Sequence, residues 1–280
     1  MNRALILVHF DRDGLVDPYV IEAARAYRRV ANQVVFVSTS TPEPPAGLEP
    51  FVDRYIHREN KGYDFGSWRA GLQSLGNLER FDEIIFVNDS VYGPLFDLEP
   101  ALAEPRIVAA DFWGMVLSEQ TAAHVQSWFF AARSAVIGSP EFRRFWESAG
   151  EDLPKEEIIR RREIGLSVLL RRAGFRMEGV YDGRLRPHAT RPEIRRHLSP
   201  WEPLRSYRHI RKTVPSRAPF NPAELFYDRL WQAGVPYIKR RLFHTNHYGL
   251  RLPLVDAAVR TRSPEWCPTI CDHRRRGVDR

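Results

Sequence analysis

The chain has 280 residues, 43% of them hydrophobic, 12% aromatic and 28% charged, the composition of a folded protein with a large core. No apolar run approaches the roughly 20 residues that span a bilayer. "MNRALILVHF" is too short and too strand-like for a secretory signal. With only two cysteines, Cys267 and Cys271, the expectation is a reduced, cytoplasmic chain. A CxxxC pair, even with His273 nearby, is a poor tetrahedral metal site.

Charge is divided unevenly. Residues 1–150 carry 14 Lys/Arg against 20 Asp/Glu, and residues 151–280 carry 28 against 15. A basic half suits nucleic acid, an anionic membrane surface or a phosphorylated ligand. It also suits solvated Arg-rich helices.

In chain order, "ALILVHF" (4–10) reads as a buried parallel strand. "DPYVIEAARAYRRVA" (17–31) has helical spacing, with Asp17 as its N-cap. "QVVFVSTS" (33–40) is a strand ending in hydroxyls, and "PEPPAG" a loop. "FVDRYIHREN" (51–60) contains a further strand. "DFGSWRAGLQSLGNL" (64–78) reads as a helix and "FDEIIFVNDS" (81–90) as a strand. "RIVAADFWGMV" (106–116) is another strand region. "QSWFFAARSAVI" (126–137) and "PEFRRFWESAG" (140–150) are aromatic-rich and amphipathic. "KEEIIRRREIGLSVLLRRAGF" (155–175) is one long helix with Gly174 as its stop. Residues 183–222 are rich in Arg, Pro and His without clear periodicity. "NPAELFYDRLWQAGVP" (221–236) is a helix with Asn221 as cap and Pro222 at its first position. The last twenty residues read as weakly ordered.

Strand–helix–strand repetition at this spacing predicts an α/β sheet with right-handed crossovers. Ligands of such sheets gather at the carboxyl ends of the strands. Asp11 and Asp13, Ser38 to Ser40, and Asn88 to Ser90 fall at those ends.

"ENKGYDFGSWRAG" (59–71) surrounds Lys61, Asp64 and Arg69 with glycines. Glycine permits close backbone approach, and free N–H groups at a helix start attract phosphate. The spacing matches neither the dinucleotide fingerprint nor the P-loop, and a plain Gly-rich turn accounts for it equally. Asp89 is placed to bridge a divalent ion to a diphosphate, although one carboxylate between Asn88 and Ser90 is a thin site. The alternative is that Asn88 and Asp89 close their own turn. Glu163 could serve as a general base, or form an ordinary helix-surface ion pair with Lys155 or Arg160. Asp111, Trp113, His124, Gln126 and Trp128 combine aromatic planes with hydrogen-bonding groups, as sugar rings require. Phe129 and Phe130 read as aromatic core. No nucleophile elbow and no nucleic-acid recognition motif occurs, so nucleic acid is not an expected partner.

Taken in order, "LVHFDRDGLVDPYV", "ENKGYDFGSWRAGL", "FVNDSVYGP", "DFWGMV" with "HVQSWFF", "EIGLSVLLRRAGF" and "NPAELFYDRLWQAGVPYIKRRLF" resemble the rhamnan synthesis protein F family of bacterial glycosyltransferases. The resemblance runs from about residue 5 to 245. It implies a glycosyltransferase A-like, Rossmann-type mixed sheet flanked by helices, with a C-terminal helical extension. Residues 1–182 would be the nucleotide-sugar-binding and catalytic core, and 183–280 a basic extension packed on it. The implied reaction moves a sugar from a nucleotide-diphosphate sugar, with dTDP-L-rhamnose as a candidate donor, to a cell-surface polysaccharide or lipid-linked glycan. It would proceed by a single inverting displacement.

On this resemblance Asp11, Ser38 and Thr39 face the nucleoside. Asn60, Lys61, Gly62, Asp64, Gly66, Arg69, Asn88, Asp89 and Ser90 hold diphosphate and sugar. Glu163 falls at the position of the catalytic base, and Trp113, His124 and Gln126 face the acceptor. Asp89 would hold Mn²⁺ or Mg²⁺. The superfamily's metal motif has two acids where only Asp89 stands here, so metal dependence stays open. His244 and His247 could complete a site, or Lys and Arg could replace the ion. The basic half would dock peripherally at the inner face of the cell membrane. A non-catalytic glycan- or nucleotide-binding module of a polysaccharide assembly is the alternative.

Overall fold

The computed structural model describes residues 1–119, 121–149, 152–183, 221–246 and 248–277. The Arg-rich 184–217 stretch and His247 lie outside them.

β1 (Arg3–His9) leads through α1 (Pro18–Val30) to β2 (Gln33–Ser38) and β3 (Arg54–His57). α2 (Tyr63–Leu75), β4 (Glu83–Asn88) and β5 (Val91–Tyr92) follow. Two short helices, α3 (Glu99–Leu102) and α4 (Pro105–Val108), precede β6 (Phe112–Ser118), β7 (His124–Val125) and β8 (Phe129–Arg133). Then come α5 (Ser134–Ile137), α6 (Pro140–Ser148), α7 (Lys155–Ile158), a π-helical segment (Ile159–Ile164), α8 (Gly165–Arg172) and β9 (Met177–Asp182). Beyond the undescribed stretch lie α9 (Pro222–Leu225), α10 (Tyr227–Gln232), β10 (Ile238–Lys239), α11 (Arg240–His244), α12 (Leu252–Arg262) and α13 (Cys267–Arg276).

Among the described residues, eight strands form one mixed sheet in the order β3-β2-β1-β4-β8-β6-β7, with β9 also paired to β6. The first four are mutually parallel, and β8 runs antiparallel to both of its neighbours. Helices cover both faces. This is the α/β sheet that the strand–helix pattern predicts, in the mixed, Rossmann-type form that the resemblance implies. Leu5 and Leu7 of β1 enter one apolar cluster, and Ala4, Ile6 and Val8 the other. β4 divides its residues in the same way. A strand buried on both faces cannot alternate polar and apolar residues, which explains the unbroken runs "ALILV" and "EIIFV".

Phe86, Phe130 and Trp146 stack beneath the sheet, the first two rings 4.6 Å apart and nearly parallel. Phe129 and Phe130 are thus core, as expected. Trp68 crosses Phe130 edge-on and donates from Nε1 to the Val87 carbonyl, 3.2 Å away. That bond ties α2 to the last turn of β4.

Several local expectations change. Asp17 occupies the N-cap position of α1 but makes no capping bond. Its carboxylate accepts instead from Arg276, because an ion pair outweighs a neutral cap. The long helix over 155–175 is interrupted by the π segment and ends as predicted at Gly174, whose φ is +90°. Asn221 does cap its helix, accepting from the Ala223 amide, with Pro222 at the first turn. Within the last twenty residues, read as weakly ordered, Cys267–Arg276 form α13, which buries Ile270 and His273. Residues from Ala223 to Ile270 join the same apolar cluster as β1 and β4.

Candidate active site

Parallel pairing aligns His9 of β1 with Ser38 of β2, and Val8 with Asn88 of β4. The polar strand ends therefore share one edge of the sheet. The structure divides them into two groups.

The first group opens on a cavity of about 580 Å³. Asn88 and Ser90 lie at its floor, Asp64 on the first turn of α2, His124 and Gln126 on the β7 turn, and Glu163 on the π segment. Asn88 Nδ2 donates to Asp64 Oδ2 over 2.8 Å, and its Oδ1 accepts from Ser90 Oγ over 2.6 Å. Burial, and next the nearby Asp89 charge, push the Asp64 carboxyl up to about 6. Gly66 lets this helix start fold tightly: a Cβ there would lie 2.1 Å from the Lys61 carbonyl oxygen.

Glu163 does not form the surface ion pair that its neighbours suggested. Arg160 and Arg161 pair with Glu157. The extra residue of a π turn rotates the following side chains relative to an α-helix, and such turns recur at functional sites. Glu163 thereby faces inward. Its Oε2 accepts from Ser127 Oγ at 2.6 Å, and its Oε1 lies 3.3 Å from His124 Nε2. His124 Nδ1 donates to the Ala122 carbonyl over 2.7 Å, which directs Nε2 at the carboxylate. Burial opposes the imidazolium, but the bonds to Glu163 and Ala122 raise the His124 pKa above its ordinary value.

Gln126 is used inside the wall. Its Oε1 accepts from Trp128 Nε1 at 2.8 Å, and its Nε2 donates to Asn221 Oδ1 at 3.0 Å. It orients the Trp128 ring, which lines the cavity. Lys239, Arg241 and Glu224 complete the lining from the C-terminal segment. Sequence reasoning missed Lys239 and Ser127. Both lie inside runs that carry the resemblance, "HVQSWFF" and "YIKRRLF", but nothing in those runs singles them out, and β10 pairing with β5 is what brings Lys239 opposite Val91.

The second group is closed. Asp11 is 5% exposed and pairs with Arg276 of α13 at 2.9 Å. Ser38, expected at the nucleoside, is 0% exposed; its Oγ accepts from the Ser40 and Thr41 amides and contacts His9. It closes a turn, as small hydroxyls commonly do. Thr39 Oγ1 donates to the His9 carbonyl. Trp113, expected at the acceptor, is 0% exposed and donates to Glu83 Oε1 at 2.9 Å. Its place in β6 turns it into the apolar cluster beneath α1. Asn60 and Lys61 are exposed, and Lys61 pairs with Glu59 at 2.6 Å. Arg69 lies on α2 beyond the cavity lining, and Gly62 is buried at the N-cap of that helix.

Asp89 belongs to the closed group. Its Oδ2 is 3.2 Å from Arg240 Nη1 and 4.0 Å from His9 Nε2. Among the described residues, no set of three or more His, Cys, Asp or Glu is arranged to hold a metal. His244, raised as a possible ligand, contacts the Tyr92 hydroxyl at 3.1 Å. A hard divalent ion requires several oxygen donors, and Asp89 faces cations instead. The residues present do not fit such an ion.

The family model for rhamnan synthesis protein F matches residues 34–195, a span that runs from β2 through the cavity-lining strands and the π segment. The chain belongs to the rhamnan synthesis protein F family. Membership of that family supports glycosyltransferase activity. Among its relatives, the virulence protein VirA of Vibrio anguillarum is 28% identical over 235 residues, covering 80% of this chain and 75% of VirA. The uncharacterized protein y4gN of Sinorhizobium fredii is 26% identical over 189 residues, or 64% of this chain and 48% of y4gN. Among solved structures, 4-diphosphocytidyl-2C-methyl-D-erythritol synthase matches with a TM-score of 0.39 and 11% identity, over 70% of this chain and 96% of that one. Glucosyl-3-phosphoglycerate synthase from Mycobacterium tuberculosis, solved with Mn²⁺, UDP-glucose and phosphoglyceric acid, matches with a TM-score of 0.33 and 11% identity, over 62% and 80% of the two chains.

Proposed function

We propose that this rhamnan synthesis protein F family member transfers a sugar from a nucleotide-diphosphate donor to a glycan hydroxyl, with Glu163 as the base. The carrying observation is the inward Glu163 carboxylate, which shares one cavity with Asn88, Ser90 and Asp64 at the carboxyl end of β4. Chemistry at that edge is the usual outcome in open α/β sheets.

The acceptor hydroxyl gives its proton to Glu163 as its oxygen attacks the anomeric carbon from the face opposite the diphosphate. Ser127 and His124 hold the carboxylate by their two contacts, which fixes the direction of attack. Asp64 accepts from sugar hydroxyls, and Asn88 and Ser90 line the end of the cavity that takes the departing diphosphate. The displacement is single, so the anomeric configuration inverts. The exposed rings and side chains of Tyr63 and Ile159 on the cavity lip offer apolar surface to the sugar's C–H face. The donor is an activated deoxyhexose such as dTDP-L-rhamnose, and the acceptor a growing cell-surface polysaccharide or lipid-linked glycan. No helix among the described residues is long and apolar enough to cross a membrane; the basic C-terminal half supports peripheral contact with anionic lipid.

Replacing Glu163 by Gln keeps the shape and removes the base. Transfer falls by at least 10³-fold, while donor affinity by calorimetry stays within a few-fold. A Gln variant with normal turnover refutes the assignment. Wild-type protein that binds the nucleotide sugar but never transfers it identifies a non-catalytic module instead.

A further inference from the structure

We infer that Lys239 is the fixed cation facing the donor diphosphate, standing where a divalent ion would otherwise bind. The inference rests on the glycosyl-transfer reading of the same cavity.

Lys239 is placed by backbone pairing. β10 runs antiparallel to β5, with Lys239 opposite Val91 and Ile238 opposite Tyr92. β5 begins one residue after Ser90, so the ladder holds Lys239 against the end of β4. Its Nζ donates to Ser90 Oγ over 2.9 Å. An ammonium has three donors, and this bond uses one. The ammonium lies 5.2 Å from the centre of the Trp128 ring. Gln126 fixes that ring, so the cation rests on a rigid platform at the cavity floor. A cation over an aromatic face is stabilised by the ring quadrupole, which keeps the ammonium extended toward the cavity.

The groups around it explain why the charge is available for a ligand. Glu224 on α9, Glu163 on the π segment and Asp64 on α2 face it, and none of them forms an ion pair with Nζ; Arg240 follows it in sequence, and Arg241 lines the same cavity. Burial lowers the Lys239 pKa to about 8 against the pull of those acids. An arriving diphosphate would complete the pairing that the acids leave unmade, and would stabilise the protonated form. Charge that develops on the leaving diphosphate is best met by a preorganised cation in a partly dry site.

Asp89 is the acid at the metal-motif position, and its Oδ2 is held by Arg240 at 3.2 Å. Asp64 is bonded to Asn88. At the strand end Lys239 stands beside the neutral side chains of Asn88 and Ser90, while Asp89 and Asp64 are engaged by Arg240 and Asn88, which suits an anion better than a cation.

The test uses the full-length protein, exhaustively treated with EDTA, and calorimetric titration with inorganic pyrophosphate and with dTDP. The expected result is binding of both without metal, and an affinity unchanged within about twofold when Mg²⁺ or Mn²⁺ is restored. Lys239→Met should weaken both ligands at least tenfold, while Lys239→Arg, which keeps the charge, should stay within a few-fold of wild type. Thermal unfolding shows whether the variants fold, and the metal dependence of the wild type decides the matter even if they do not. Binding that requires the metal, or a folded Lys239→Met with wild-type affinity, overturns the inference. The two readings fail separately. If Lys239-dependent pyrophosphate binding persists while no nucleotide sugar is turned over, the cation site stands and the transferase reading falls. If the Met variant transfers sugar normally in EDTA, the reverse holds.

Discussion

Asp64→Asn should stabilise the protein at neutral pH while impairing it as an enzyme. The Asp64 carboxyl ionises near 3.8 in an unfolded chain and at about 6 in the folded one, raised by burial and then by the Asp89 charge. The folded state therefore holds this proton more tightly. Stability from that preference is fully present below pH 3.8, declines as pH rises from there toward 6, and is gone above it. A shift of that size corresponds to roughly 3 kcal/mol at pH 8 and about 0.5 kcal/mol at pH 4. Asp64 borders an open cavity, where solvent screens part of this, so a gain of about 1–3 kcal/mol is expected at pH 8. Asn retains an oxygen to accept from Asn88 Nδ2, so the local bond survives. The gain should raise the Tm by about 2–8 °C at pH 8, and it should shrink steadily toward pH 4. Urea unfolding of both proteins across pH 4 to 8 measures it. A pH-independent difference, or a less stable Asn variant at pH 8, would refute the reasoning that a costly buried charge is kept here for function. Donor affinity or turnover should fall in the same variant, as when an active site trades stability for chemistry.

Asp89→Ala removes the carboxylate 3.2 Å from Arg240, a pair only 10–12% exposed, and should cost about 2–4 kcal/mol in denaturant unfolding. It should also weaken dTDP binding, because Arg240 adjoins Lys239; full affinity in a destabilised protein would separate Asp89 from the site. Gly66→Ala places a methyl group 2.1 Å from the Lys61 carbonyl, so the 58–62 turn must move. A loss of about 1–3 kcal/mol is expected, read as a lowered Tm, and an unchanged Tm would show that the turn adjusts freely.

The glycine and aspartate at α2 were legible as a special stretch, but their division of labour was not. Gly66 packs and Asp64 faces the cavity, and the difference lies in which side of one helix turn meets the Lys61 carbonyl. Glu163 stood out only through resemblance. Its inward direction depends on a π turn, whose backbone register no residue pattern announces. Trp113 was misplaced because a strand buried on both faces carries no alternation to say which side a Trp takes. Asp11 and Ser38 fell at the expected sheet edge, yet α13 and the local turns occupy their polar groups, an outcome set by a helix more than two hundred residues away.

Hydrophobic runs, helical periods and Gly/Pro punctuation are local properties, and they determined the α/β class, the alternation of strands and helices in the first ninety residues and the edge where polar residues gather. Which of those polar residues share a cavity is a long-range property. Lys239 reaches Ser90 across 149 positions, and Arg276 reaches Asp11 across 265. Such contacts exist only once the C-terminal segment closes over the sheet. Folding decided that Asp89 would face Arg240 and that a lysine would stand at the end of β4, because charge pairing is settled by distance in space and not by distance along the chain.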